Sequence, residues 1–238
     1  AGKKGDLNYL RDAVEGGVSI KHEKDDVGER AICSYQLPGG IHLSYTITVR
    51  KDSPISEWRV WVENLGGETP RNDQRVYRVA FPVLEGLTIG NKEIPPTPPF
   101  QRGERGDFLA RPYAQGELIP DPVSYSFTRP NNSNTPIYVL TYIGWASMPW
   151  LDLYDKSGGL YLASYDPTFQ QVDVESWPDR VAGTMTLDMR TYAFLEPGES
   201  WESQTFAVGI HEGDWHWAAD RYREWAHAHH RSYTGPDW

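Results

Sequence analysis

Hydrophobic and polar positions alternate along most of this chain. The clearest stretch is Ile41 to Arg50, where Ile41, Leu43, Tyr45, Ile47 and Val49 fall on one face and His42, Ser44, Thr46, Thr48 and Arg50 on the other. A period of two buries one side of an extended strand and turns the other to water. Trp58, Val60 and Val62 repeat the pattern opposite Glu57, Arg59, Trp61 and Glu63, which places Trp61 on an outer face. Further strands are expected over 30–37, 75–84, 137–143, 170–177, 181–195 and 201–210, with turns at Pro38-Gly39-Gly40, after Asn64, and at Pro197-Gly198. The best-defined hairpin joins Trp150, Leu151, Leu153 and Tyr154 to Leu160, Tyr161, Leu162 and Tyr165 through Lys156-Ser157-Gly158-Gly159, whose glycines tolerate positive φ. Asp166-Pro167 stops its second strand, because proline has no amide to donate. Many strands with turns between them and no intervening helices predict an all-β fold of two stacked antiparallel sheets.

Two stretches depart from the alternation. Between Gly90 and Pro136 the sequence is rich in proline, glycine, arginine and asparagine, punctuated by Phe100, Phe108, Tyr113, Tyr125 and Phe127. It reads as a long ordered loop, 91–136, packed over one end of the sandwich; loops of that length are uncommon in compact domains unless they serve a function. After 212 the period changes: Trp215, Ala218, Tyr222 and Trp225 recur at helical spacing behind Asp214, a good N-cap. The expected organisation is therefore a β-sandwich over 1–212 and a connector helix with its tail over 213–238.

Composition narrows the partners. The chain has 238 residues and a formal charge of −10, which disfavours nucleic acid and anionic membranes and is compatible with neutral or cationic ligands. A single cysteine, Cys33, excludes an internal disulfide and falls in a strand, where a core thiol is expected. No run approaches the ~18 apolar residues of a membrane span. The chain reads as soluble, compatible with a secreted or periplasmic protein whose export signal has been trimmed.

The candidate chemistry is sparse. Glycoside hydrolysis needs two carboxyls about 5 to 9.5 Å apart, and Asp152, Asp155, Asp166, Asp173 and Glu175 are available, although surface charge and turn formation explain such residues equally well. His211 and His216 flank the helix start and could pair with a carboxylate for proton transfer, while His227, His229 and His230 lack the carboxylate partner and spacing of a metal site. No phosphate-binding loop and no nucleophile elbow is present, so no metal and no cofactor is expected. The loop aromatics Tyr113, Trp145, Trp150 and Trp177 remain; flat rings stack on the C–H faces of sugars while Arg, Asp and Asn bond the hydroxyls.

Four blocks bring in a resemblance: Phe81 to Gly90, Phe108 to Pro122, Met148 to Pro167, and Gly213 to Ala226, in that order. Together they resemble the N-terminal β-supersandwich of large glycoside-hydrolase-like proteins, in which a (β/α)8 catalytic barrel follows the closing helix. The resemblance covers about residues 75 to 226. It implies a galactose-mutarotase-like sandwich, carbohydrate as ligand, an intramolecular catalytic barrel as partner, and no catalytic residues on this chain. Joined to the loop aromatics, it implies substrate contact through Arg111, Tyr113, Trp145, Trp150 and Asp166. Tyr165 departs from the family wording, where His is expected before Asp-Pro. Two other readings stay open: a stand-alone sugar epimerase or mutarotase using His211 or His216, and an autonomous carbohydrate-binding module. The barrel-partner reading further expects an exposed apolar patch around Trp215, Trp225 or Trp150.

Overall fold

The computed structural model describes residues 15–66, 75–89, 106–124 and 138–230. The chain runs through β1 (Glu15–Lys24), β2 (Gly28–Leu37), β3 (Ile41–Arg50), β4 (Ile55–Asn64), β5 (Val76–Leu87), β6 (Phe108–Arg111) and β7 (Glu117–Pro120). It continues through β8 (Tyr138–Tyr142), β9 (Trp150–Asp155), β10 (Gly158–Tyr165), β11 (Val172–Asp179), β12 (Thr184–Leu195), β13 (Ser200–Glu202) and β14 (Thr205–His211), and ends in α1 (Trp215–His229). These strands form two antiparallel sheets. The larger has the order β1-β2-β3-β4-β14-β10-β9-β6-β7, with β13 also paired to β4; the smaller is β5-β12-β11-β8. The all-β two-layer expectation holds, and α1 adds a third layer outside the larger sheet.

The main core lies between the sheets. Leu151, Leu153, Leu162 and Phe206 of the larger sheet meet Leu140, Val172, Val174, Met185, Leu187 and Met189 of the smaller. A second part of the interlayer packs Leu37, Ile41, Val60 and Val62 against Leu195. Cys33 is buried with a free thiol, as a strand-core position should be. On the opposite face of the larger sheet, Trp150, Tyr154, Tyr161, Ala163 and Ala207 pack against Ala218 and Tyr222 of α1. Thus β9, β10 and β14 are covered on both faces.

The helix starts where the sequence places it: the Asp214 side chain accepts from the His216 amide at 3.0 Å. Its stripe docks on the sheet, so the expected apolar patch around Trp215, Trp225 and Trp150 is not there. Trp150 is buried, and Trp225 stacks on Tyr165 with ring centroids 4.8 Å apart. No helix among the described residues is long and apolar enough to cross a membrane.

Three local expectations change. The stretch expected as loop, 91–136, contains the paired strands β6 and β7; residues 90–105 and 125–137 lie outside the described residues. The strand expected over 201–210 is broken between β13 and β14, because Ser203 leaves the ladder to pair with Val60: its amide donates to the Val60 carbonyl at 2.8 Å and its Oγ accepts from the Val60 amide at 3.0 Å. Val49, expected in the core, is exposed, since the core thins toward that end of β3.

Candidate functional site

The loop joining β6 to β7 meets the loop that follows β8 at the edge of the larger sheet. Backbone bonds lace the two together: the Ala114 amide donates to the Trp145 carbonyl at 2.9 Å, and the Ser147 amide to the Pro112 carbonyl at 2.9 Å. An isolated bridge between Tyr113 and Ala146 adds to this clasp. Held by it, the Tyr113 and Trp145 rings stack at 6.0 Å with planes 24° apart. Trp145 is 67% exposed and Tyr113 37%. A large ring with no cover and a fixed neighbour is unusual for a packing residue. Arg111, at the end of β6, places its guanidinium 5.8 Å from the Tyr113 ring centroid, and its Nε donates to Glu117 at 2.7 Å. The buried Arg111 stem and its ion pair set the angle of the platform from below.

Of the five residues expected to touch substrate, the structure brings these three together and sets two apart. Trp150 is buried beneath α1 and presents no surface. Asp166 is also buried; its Oδ1 accepts from the Thr168 amide and hydroxyl at 2.9 and 2.7 Å, and its Oδ2 from the Gln170 amide at 2.5 Å. Asp166 therefore shapes the loop 167–170, the turn-forming role open to an Asp before proline.

The acidic residues are not the surface charges that composition suggested. Asp152, Asp155, Asp166, Asp173 and Glu175 are all buried. Asp155 closes the β9–β10 turn, accepting from the Ser157 amide at 2.6 Å. Asp152 meets His211 Nε2 at 2.8 Å, with both side chains fully covered and the Trp217 ring stacked 4.6 Å above the imidazole. Burial raises the Asp152 pKa, opposed by its bond to His211. Burial works against a charged His211, yet the Asp152 hydrogen bond and charge outweigh it and the pKa lies above the ordinary 6.5. This covered pair ties β14 to β9 across β10 and packs under Trp217 of α1. His216, the other candidate base, is exposed and pairs with the cap residue Asp214 at 2.8 Å.

Sequence reasoning singled out Asp173 and Glu175 as candidate carboxyls but not the charged network they form on the outer face of the smaller sheet. Asp173 and Glu175 of β11 lie opposite Arg190 and Asp188 of β12. Arg190 Nε donates to Asp188 at 2.8 Å, its Nη2 reaches Glu175 at 2.9 Å, and its guanidinium lies 5.2 Å from the Trp177 ring. Thr141 and Tyr192 donate to Asp173 at 2.8 and 2.6 Å. Burial, with Asp188 alongside, pushes the Glu175 pKa up to about 7, against the pull of Arg190 and Arg78. The signal was in the sequence: charged residues alternate with Val172, Val174, Leu187 and Met189, which marks one face of each strand as polar.

In sequence the chain matches no family model and no curated protein. In structure it is similar to the alpha-N-acetylgalactosaminidase NagBb from Bifidobacterium bifidum in its GalNAc complex, with TM-score 0.57 and 14% identity over 89% of this chain and 30% of that one. The GH36 alpha-galactosidase AgaB from Geobacillus stearothermophilus matches with TM-score 0.53 and 13% identity over 90% of this chain and 30% of that one. The GH36 alpha-galactosidase AgaA variant A355E D548N from the same organism, solved with raffinose, matches with TM-score 0.52 and 14% identity, over 90% and 30%. This chain thus spans about 30% of the length of the solved glycosidases it matches, and the likeness is one of fold: a two-sheet β-sandwich with a closing helix that, in each of them, forms one part of a longer chain.

Proposed function

We propose that this chain is the non-catalytic β-sandwich domain of a glycoside hydrolase, N-terminal to a (β/α)8 catalytic domain, and that Tyr113 and Trp145 line the substrate cleft between the two. The observation that carries the reading is the exposed stacked pair itself, clasped by two loops and backed by Arg111. Flat rings fixed in this way suit the C–H face of a pyranose, and the part-exposed Glu117 carboxylate, held by the buried Arg111, offers an acceptor for a hydroxyl. The fold likeness to alpha-galactosidases and an alpha-N-acetylgalactosaminidase supports α-linked galactosyl or N-acetylgalactosaminyl groups as the sugars met there. A stand-alone epimerase has less support, because His211 is sealed under Trp217.

The test is a titration of this chain with raffinose and with N-acetylgalactosamine, followed by tryptophan fluorescence. A saturable change at millimolar sugar is expected, and Tyr113→Ala, which keeps the Trp145 reporter and removes its partner, should weaken it about tenfold, the scale of losing ~1.4 kcal/mol. No change in the unmodified chain would reduce the domain to a scaffold.

A further inference from the structure

A second feature opens on the smaller sheet, where β5 and β12 meet the loop that precedes β11. A cleft of about 440 Å³ is lined by Tyr77, Gln170, Gln171, Thr191, Tyr192 and Phe194. It is a shallow cleft open to solvent, able to cover one face of a ligand rather than to enclose it. Tyr192 and Phe194 lie near parallel at 6.0 Å and 21°, and Tyr77 stands almost at right angles to both, 5.5 Å from Tyr192 and 4.9 Å from Phe194. The three rings make a corner. Tyr77 and Phe194 are 48% and 59% exposed, too open for residues whose purpose is packing.

Each wall of this corner is fixed from behind. The Tyr192 hydroxyl donates to Asp173, which orients the ring, and Asp166 holds the Gln170 amide, which orients the loop carrying the two carboxamides. Phe194 lies at φ 52°, in the left-handed region, within a register shift where Tyr192 faces Arg78 and Leu195 faces Val76. A residue with a Cβ is disfavoured there, and the position nonetheless carries an exposed aromatic ring. Glycine would suit the backbone better, so the ring is what the position retains.

We infer that this cleft is a second saccharide-binding site, taking a neutral sugar ring against Tyr77, Tyr192 and Phe194 with its hydroxyls bonded by Gln170 and Gln171. Carboxamides both donate and accept, as hydroxyls do, and rings cover the apolar face between them. Of the lining residues none carries a formal charge, and the nearby Asp173 is engaged by Tyr192 and Thr141 and balanced by Arg78 at 3.8 Å, which leaves the cleft suited to an uncharged ligand. The inference does not rest on the Tyr113–Trp145 reading.

Affinity electrophoresis of the whole chain through native gels containing galactomannan, xylan or soluble starch tests it. Retardation by at least one polysaccharide is expected, and Tyr77→Ala and Phe194→Ala should each cut it at least fivefold, while Val181→Ala, at an exposed position in the β11–β12 turn outside both sites, leaves it in place. Phe194→Gly guards against misfolding: it relaxes the backbone and removes the ring, so it should melt no lower than the parent and still lose retardation. The inference is overturned if no polysaccharide retards the chain, if Phe194→Gly is retarded as strongly as the parent, or if Trp145→Ala alone abolishes the effect.

Discussion

Glu175 shows how one residue's surroundings set its charge. Its neighbour across the ladder is Asp188, and both are buried with Arg190 between them. With its pKa pushed from 4.5 up to about 7, the folded chain binds a proton that the unfolded chain releases. The sign follows: this group favours the folded state fully below pH 4.5, and that contribution is lost as pH rises through 7. A shift of that size corresponds to about 3 kcal/mol at most. Glu175→Gln should therefore flatten the fall in stability between pH 5 and pH 8, read from urea unfolding at several pH values. If parent and variant keep the same slope, Glu175 is ionised throughout and Arg190 and Arg78 dominate it.

At the scale of elements, the β9–β10 hairpin and α1 meet through a gap that only glycine leaves. A Cβ on Gly159 would lie 2.3 Å from His211 Nε2 and 2.8 Å from the Tyr154 Cβ, and the imidazole is held both by Asp152 at 2.8 Å and by the Trp217 ring stacked on it. Gly159→Ala should cost about 1–3 kcal/mol through forced repacking and lower the melting temperature by several degrees; an unchanged melting curve would mean that His211 and Trp217 move freely. This hairpin was legible in the sequence, as were β3, β4 and the capped helix, because period and turn residues agree in each. The reason for Gly159 was not legible, since its crowding neighbour comes from β14, some fifty positions later. Nor were β6 and β7: strands of four residues are too short to show a period and were hidden among prolines and arginines. For the site, Arg111, Tyr113 and Trp145 could be picked out as loop residues, whereas Trp150 misled because a tryptophan beside a turn looks the same in sequence whether a helix covers it or not. The corner of Tyr77, Tyr192 and Phe194 depends on a register shift between β5 and β12, and no single strand records a shift.

Across the whole molecule, burial is uneven, and the strand sequences reflect it. Strand β10 has Leu162 turned to the interlayer core and Tyr161 and Ala163 turned to α1, all fully covered, so its sequence shows an apolar run in place of alternation. Strand β1 and the far end of β3 reach past the interlayer core, and Val18, Ile20 and Val49 there are exposed. Local opening needs less free energy where few apolar side chains must be uncovered. Amide hydrogen exchange should therefore be slowest at Tyr161 to Ser164 and at Ala207, between the smaller sheet and the helix, and faster by at least a hundredfold at Ser19 to Glu23 in β1, the edge strand among the described residues. The contrast is more than an edge effect, because β8 also lies at the edge of its sheet yet contributes Leu140 to the interlayer core and should exchange at an intermediate rate. Equal protection of β1 and β10 would mean that the outer strands are covered by something beyond these two sheets, and a fast-exchanging β10 would mean that α1 does not hold the larger sheet from outside.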